Sequence, residues 1–175
     1  MRWVTLGLAM LFMVGVLSAQ EKTDRSYPTD RFDYAGVQAD IDELSNNLAV
    51  DPYDLAKAQA WLNSSKYEMW RNDSGWWPKE AFDEATRVVA AIKNKDQAFL
   101  LKTSSLKLDQ LIANDLWIQV AETKKLEKVC AKKLLAKAEV ELVHAAYEAQ
   151  ETRWKDSAPQ LALVRSFLGR AKSCL

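Results

Sequence analysis

Apolar residues recur along most of this chain at three- and four-residue spacing, the period of helices that bury one face. Val37, Ile41, Leu44 and Leu48 predict a short first helix. Asp51-Pro52 reads as an N-cap followed by proline at the first helical position, so a second helix is expected from about Pro52 to Trp70. Asn72-Asp73-Ser74-Gly75 is a turn, and Pro78 opens a third helix whose buried stripe is Phe82, Ala85, Val89 and Ile92, ending near Asn94. Neither glycine nor proline occurs between Pro78 and Pro159, which favours long helices over strands. A linking helix should carry Leu108, Ile112, Leu116 and Val120, with a break at Glu122 to Lys125. A long helix over about Leu126 to Trp154 and a last one over about Pro159 to Lys172 follow, joined by a turn at Asp156-Ser157. The predicted fold is all-α, an antiparallel array of helical hairpins.

An internal repeat supports that arrangement. Leu55-Ala56-Lys57-Ala58, Leu62 and Tyr67-Glu68 recur eighty positions later as Leu135-Ala136-Lys137-Ala138, Leu142 and Tyr147-Glu148, seven identities in a fourteen-residue window. Ala58, Leu62, Ser65 and Met69 form one helical stripe, and Ala138, Leu142, Ala145 and Ala149 form its equivalent. The duplicated units are expected at about residues 52–94 and 126–173, with the linking helix between them.

The first nineteen residues have a different pattern. Met1-Arg2 is a basic start, Trp3 to Val16 an apolar run, and Leu17-Ser18-Ala19 a small-residue ending, which together predict a signal peptide cleaved after Ala19. The run is shorter than the roughly 20 residues a spanning helix needs, so no integral membrane segment is expected after cleavage. Gln20 to Ala35 is polar and aperiodic, a flexible lead-in to one helical domain over 36–175. Loss of the signal leaves 23 basic against 24 acidic side chains, a balance that argues against a nucleic-acid partner. The predicted location is the periplasm, an oxidising compartment for the two cysteines, Cys130 and Cys174.

Those cysteines fall at the two open ends of one predicted hairpin. From Cys130 to Trp154 a helix rises roughly 36 Å, and the return from Pro159 to Cys174 covers about 23 Å, with the connecting turn supplying part of the difference. A Cys130–Cys174 disulfide is therefore expected, with Cα atoms within roughly 7 Å.

The run Ala56-Lys57-Ala58-Gln59, Trp61-Leu62, Asp73 and Ser74-Gly75-Trp76, with Cys130, Ala138-Glu139-Val140-Glu141-Leu142-Val143 and Cys174 further on, resembles the all-helical N-terminal module of some Gram-negative OmpA-family envelope proteins. The likeness spans roughly residues 50–174. In that family a peptidoglycan-binding domain follows the helices. This sequence stops at Leu175, so cell-wall binding is not carried over.

Candidate chemistry is sparse. Glu141-x-x-His144 has the spacing used by di-iron bundles, but such a site needs the motif twice and the chain has a single histidine. His144 falls with Lys137, Glu141 and Glu148 on the polar side of its helix, and a solvated surface position is expected. Neither a metal set, a cofactor motif nor a nucleophile–base pairing is recognised, so no enzyme is predicted. The lysines from Lys124 to Lys133 read as a solvated face. Trp61, Trp70, Trp76 and Trp77 crowd one hairpin, either as an aromatic binding patch or, more simply, as filling for the corner between its helices. The expected function is that of a non-catalytic interaction or scaffold protein of the bacterial envelope, its partner another envelope protein. The alternative is a binding module for a carbohydrate or small apolar ligand in a tryptophan-lined pocket.

Overall fold

The computed structural model describes residues 31–71, 75–125, 128–151 and 157–174. The predicted signal peptide, most of the lead-in, Trp154 and the turn residues 72–74 lie outside these segments. The described chain is all-helical: α1 (Tyr34–Ser45), α2 (Pro52–Trp70), α3 (Trp77–Asn94), the single turn α4 (Gln97–Leu100), α5 (Asn114–Thr123), α6 (Val129–Glu151) and α7 (Ala158–Lys172). No helix among the described residues is long and apolar enough to cross a membrane.

Local chemistry sets the boundaries. The Asp51 carboxylate accepts the Tyr53 amide hydrogen at 2.8 Å and Pro52 opens α2, the expected start. Asp33 caps α1 by accepting from the Gly36 amide at 2.8 Å. A Cβ on Gly36 would stand 2.2 Å from that carboxylate as it lies, so a larger residue there would make the Asp33 side chain shift. This cap makes the lead-in shorter than the sequence pattern suggested. The helix begins at Tyr34, and the rings of Phe32 and Tyr34 pack on Phe82 at 4.9 and 5.3 Å. At the other end α1 stops at Ser45, which leaves Leu48 fully exposed rather than on the buried stripe.

Two helical hairpins dominate. In the first, α2 and α3 are antiparallel, and their turn end is closed by Ser65 Oγ donating to the Pro78 carbonyl at 2.6 Å and by Trp77 Nε1 donating to Ser64 Oγ at 3.0 Å. In the second, α6 and α7 are antiparallel, and Cys130 and Cys174 meet at the open end with Cα atoms 6.2 Å apart, within disulfide reach as expected. The two hairpins pack through α2 and α6, which run in the same direction. Lys57 meets Glu139 near one end of this seam, and Glu68 meets His144 near the other. α6 therefore serves two cores. Val140, Val143 and Tyr147 join the cluster of α1, α2 and α3, while Leu135, Ala138, Leu142 and Ala145 join that of α5 and α7.

The linking helix is shorter than predicted. Only Asn114–Thr123 is helical, because Leu106 and Ala113 adopt left-handed backbone with φ of 49° and 56°. Leu108 and Ile112 still pack against the two cores, but from irregular chain. The break after α5 falls where the polar interruption placed it, at Lys124, and α6 starts at Val129.

Candidate functional site

The seam between α2 and α6 is polar in the middle of the protein. On α2, Lys57, Trp61, Ser64 and Glu68 lie along one helical stripe beside the expected one of Ala58, Leu62, Ser65 and Met69, and all eight are buried. On α6 nearly every position from Ala138 to Glu148 is buried, polar ones included. A helix covered on all sides must satisfy its polar groups internally.

At the first end, Lys57 Nζ donates to Glu139 Oε1 at 2.8 Å and to the Lys102 carbonyl at 2.9 Å. Glu139 also accepts from Lys124 Nζ at 2.6 Å and from the Tyr53 hydroxyl. Burial pushes the Glu139 carboxyl up, but the two lysines outweigh it and hold it below the usual range. Tyr53 is raised well above an ordinary phenol by burial and by the facing Glu139 carboxylate.

At the other end, His144 is buried rather than solvated. The sequence reading assumed that α6 buries one face; it lies between α2 and α7, so its polar side meets α2. The imidazole stacks on Trp77 with centroids 4.6 Å apart and planes 14° apart. Its Nε2 points to Glu68 Oε1 at 3.2 Å and Glu148 Oε1 at 3.7 Å, and its Nδ1 to Glu141 Oε2 at 3.8 Å. The Nε2 contacts are ion-pair contacts rather than hydrogen bonds, the one to Glu148 being too long for one, so Nε2 has no hydrogen-bond partner. Arg71 Nη1 bridges the carboxylates, 3.1 Å from Glu68 and 3.3 Å from Glu148. Burial pulls the His144 pKa down, but Glu141 and Glu68 more than reverse this and bring it to about 9. Glu68 is likewise raised by burial and then lowered further by His144 and Arg71.

A cleft of about 1040 Å³ opens at the start of α2 and α6, bordered by the α1–α2 loop, the end of α3 and α4. Leu44, Val50, Ile92 and Leu101 give it apolar wall, and Lys93, Lys95, Lys124 and Lys132 a basic rim that includes two members of the supposed solvated lysine face. Asp51 and Asp54 are its acidic members. Asp54 is raised to about 6 by burial and the neighbouring Asp51, against the pull of Lys57, Lys132 and Lys124.

The four tryptophans singled out in the sequence separate. Trp61 and Trp77 are buried in the corner between α2 and α3, with ring centroids 5.7 Å apart. Trp76 is half-buried, stacked edge-on against Tyr147 and donating Nε1 to Glu151 at 3.1 Å. Trp70 is exposed. None of the four lines the cleft. The polar seam escaped the sequence reading, although two signals pointed to it: charged residues at helical core spacing on α2, and the eighty-residue register that pairs Glu68 with Glu148. Comparison with protein-family models, with curated proteins and with solved structures finds no match to this chain.

Proposed function

We propose that this chain is a non-catalytic interaction protein of the bacterial envelope, exported by its N-terminal signal and held rigid by the Cys130–Cys174 bond, and that the cleft at the start of α2 and α6 receives an acidic, partly apolar segment of a partner envelope protein. The cleft carries this reading: its walls are apolar, its rim gathers four lysines, of which Lys93, Lys124 and Lys132 are ion-paired to Asp40, Glu139 and Asp51 while Lys95 adds its charge, and its volume suits several side chains of an extended peptide. Two further features support it. The buried charges of the α2–α6 seam pair with one another, as structural groups do, and the N-terminal pattern is that of a cleaved leader. The alternative of a tryptophan-lined ligand pocket gains nothing from Trp61 and Trp77, which fill the core, or from Trp70 and Trp76, which do not line the cleft.

The test is photocrosslinking in cells, with a photoreactive residue at Leu101 in the cleft or at Trp70 on the opposite end. The expected result is one envelope protein captured from Leu101, lost in the Lys93→Glu, Lys95→Glu variant and not captured from Trp70. Capture that ignores the lysine reversal, or recovery of the chain from the cytoplasm with its leader intact, overturns the proposal.

A further inference from the structure

We propose that Glu68, His144 and Glu148 bind one divalent transition-metal cation, with Arg71 as the side chain that gives way to it. One oxygen of each glutamate and Nε2 of His144 all lie within 4.8 Å of one another. Ligand atoms about 2.0–2.1 Å from a common ion stand roughly 3–3.5 Å apart in tetrahedral geometry, so the 3.2 Å from Nε2 to Glu68 already fits and the 3.7 Å to Glu148 has to close by a few tenths of an ångström. All three side chains are buried.

The imidazole is the strongest indication. Nε2 is buried without a hydrogen-bond partner and aimed between two carboxylates. Its ring cannot turn away, because Trp77 stacks on one face and Tyr147 stands at 6.2 Å with planes 24° apart. Nδ1 is directed at Glu141, the carboxylate–histidine arrangement that orients metal-bound imidazoles in known sites. His144 and Glu148 are one helical turn apart on α6, and Glu68 comes from α2 across the seam, so two packed helices fix the set.

Arg71 supplies the route and the charge balance. Its guanidinium neutralises the two carboxylates from the solvent side and is 45% exposed. Swinging out costs little packing, and a divalent ion then takes the place of the imidazole proton, which is released to water, and offsets both carboxylates with the neutral imidazole as third ligand. One nitrogen and two oxygens suit zinc, cobalt, manganese or ferrous iron better than calcium, which prefers oxygen alone.

Because the chain contains one histidine, its imidazole reports on the site without ambiguity. The experiment uses the chain purified without a histidine tag and stripped with chelator. Zinc is titrated by calorimetry, and cobalt is followed by visible absorption and by NMR of the His144 ring. The expected outcome is one ion per chain, a displaced His144 resonance, affinity tightened about tenfold by Arg71→Gln, and affinity lost at least tenfold in Glu148→Gln. Arg71→Gln keeps the test independent of variants that fail to fold, since the arginine lies at the surface. No saturable binding by the wild-type chain, or binding that leaves the His144 resonance unmoved and is indifferent to Arg71→Gln, overturns the proposal.

Discussion

The two hairpins share an architecture and are held by different means. The α2–α3 hairpin is closed at its turn by aromatic volume: Trp61, Trp76 and Trp77 pack there, and two serine hydroxyls tie the helices. The α6–α7 hairpin has an interior of small and aliphatic side chains such as Ala138, Leu142, Ala145, Val164 and Leu168, and is tied at its open end by cysteine. The difference follows from where α6 lies. Its aromatic groups, His144 and Tyr147, are turned towards Trp77 of the first hairpin, so the second retains little bulk of its own. A hairpin without a large side chain at its corner gains more from a covalent clasp.

The largest effect is expected from Trp77→Ala, which empties a fully buried position shared by four aromatic partners and should cost about 3–5 kcal/mol in denaturant unfolding. A loss below 1 kcal/mol would mean that the corner is not what closes the first hairpin. Replacing Cys130 and Cys174 together by serine should cost about 2–4 kcal/mol, because a loop of about 45 residues is released in the unfolded chain. The check is that a reductant lowers the melting temperature of the wild-type chain and leaves that of the double variant where it was. The smallest effect belongs to neither corner. Asp54 lies at the cleft end of the seam, and its pKa in the folded chain, about 6, is above the ordinary value of 3.8. The stability it contributes is complete below that ordinary value and is lost as pH rises through 6. Asp54→Asn should therefore stabilise by about 1 kcal/mol at pH 7.5, discounted for partial exposure, and by nothing at pH 3.5. A gain at both values would point to a cause other than charge.

The hairpins were legible because they rest on local signals: Asp51-Pro52 and Pro78 mark helix starts, apolar periodicity marks the faces, and helix lengths with a turn that folds back bring Cys130 to Cys174. The seam was not. Periodicity tells which residues share a face, but not whether a second helix covers the polar face as well. His144 looked solvated for that reason, and Glu68 is linked to it by a contact across seventy-six positions that nothing local encodes. The linking segment failed for a related cause. Leu108 and Ile112 have helical spacing and reach the core, yet left-handed backbone at Leu106 and Ala113 delivers them there without a helix. Whether the repeat records a duplication remains a reading of the sequence, which the parallel course of α2 and α6 accommodates.

The clasp at the open end of α6 and α7 also changes the topology of damage. With Cys130 joined to Cys174, the forty-four bonds of sequence between them form a closed ring. A single peptide cleavage inside that ring yields no separate fragment, because each side stays attached through sulfur. The same cut between α2 and α3, where no covalent bridge spans the turn, divides the chain in two. A chain met by proteases would thus tolerate a nick in its C-terminal hairpin, while its N-terminal hairpin depends wholly on packing to survive one.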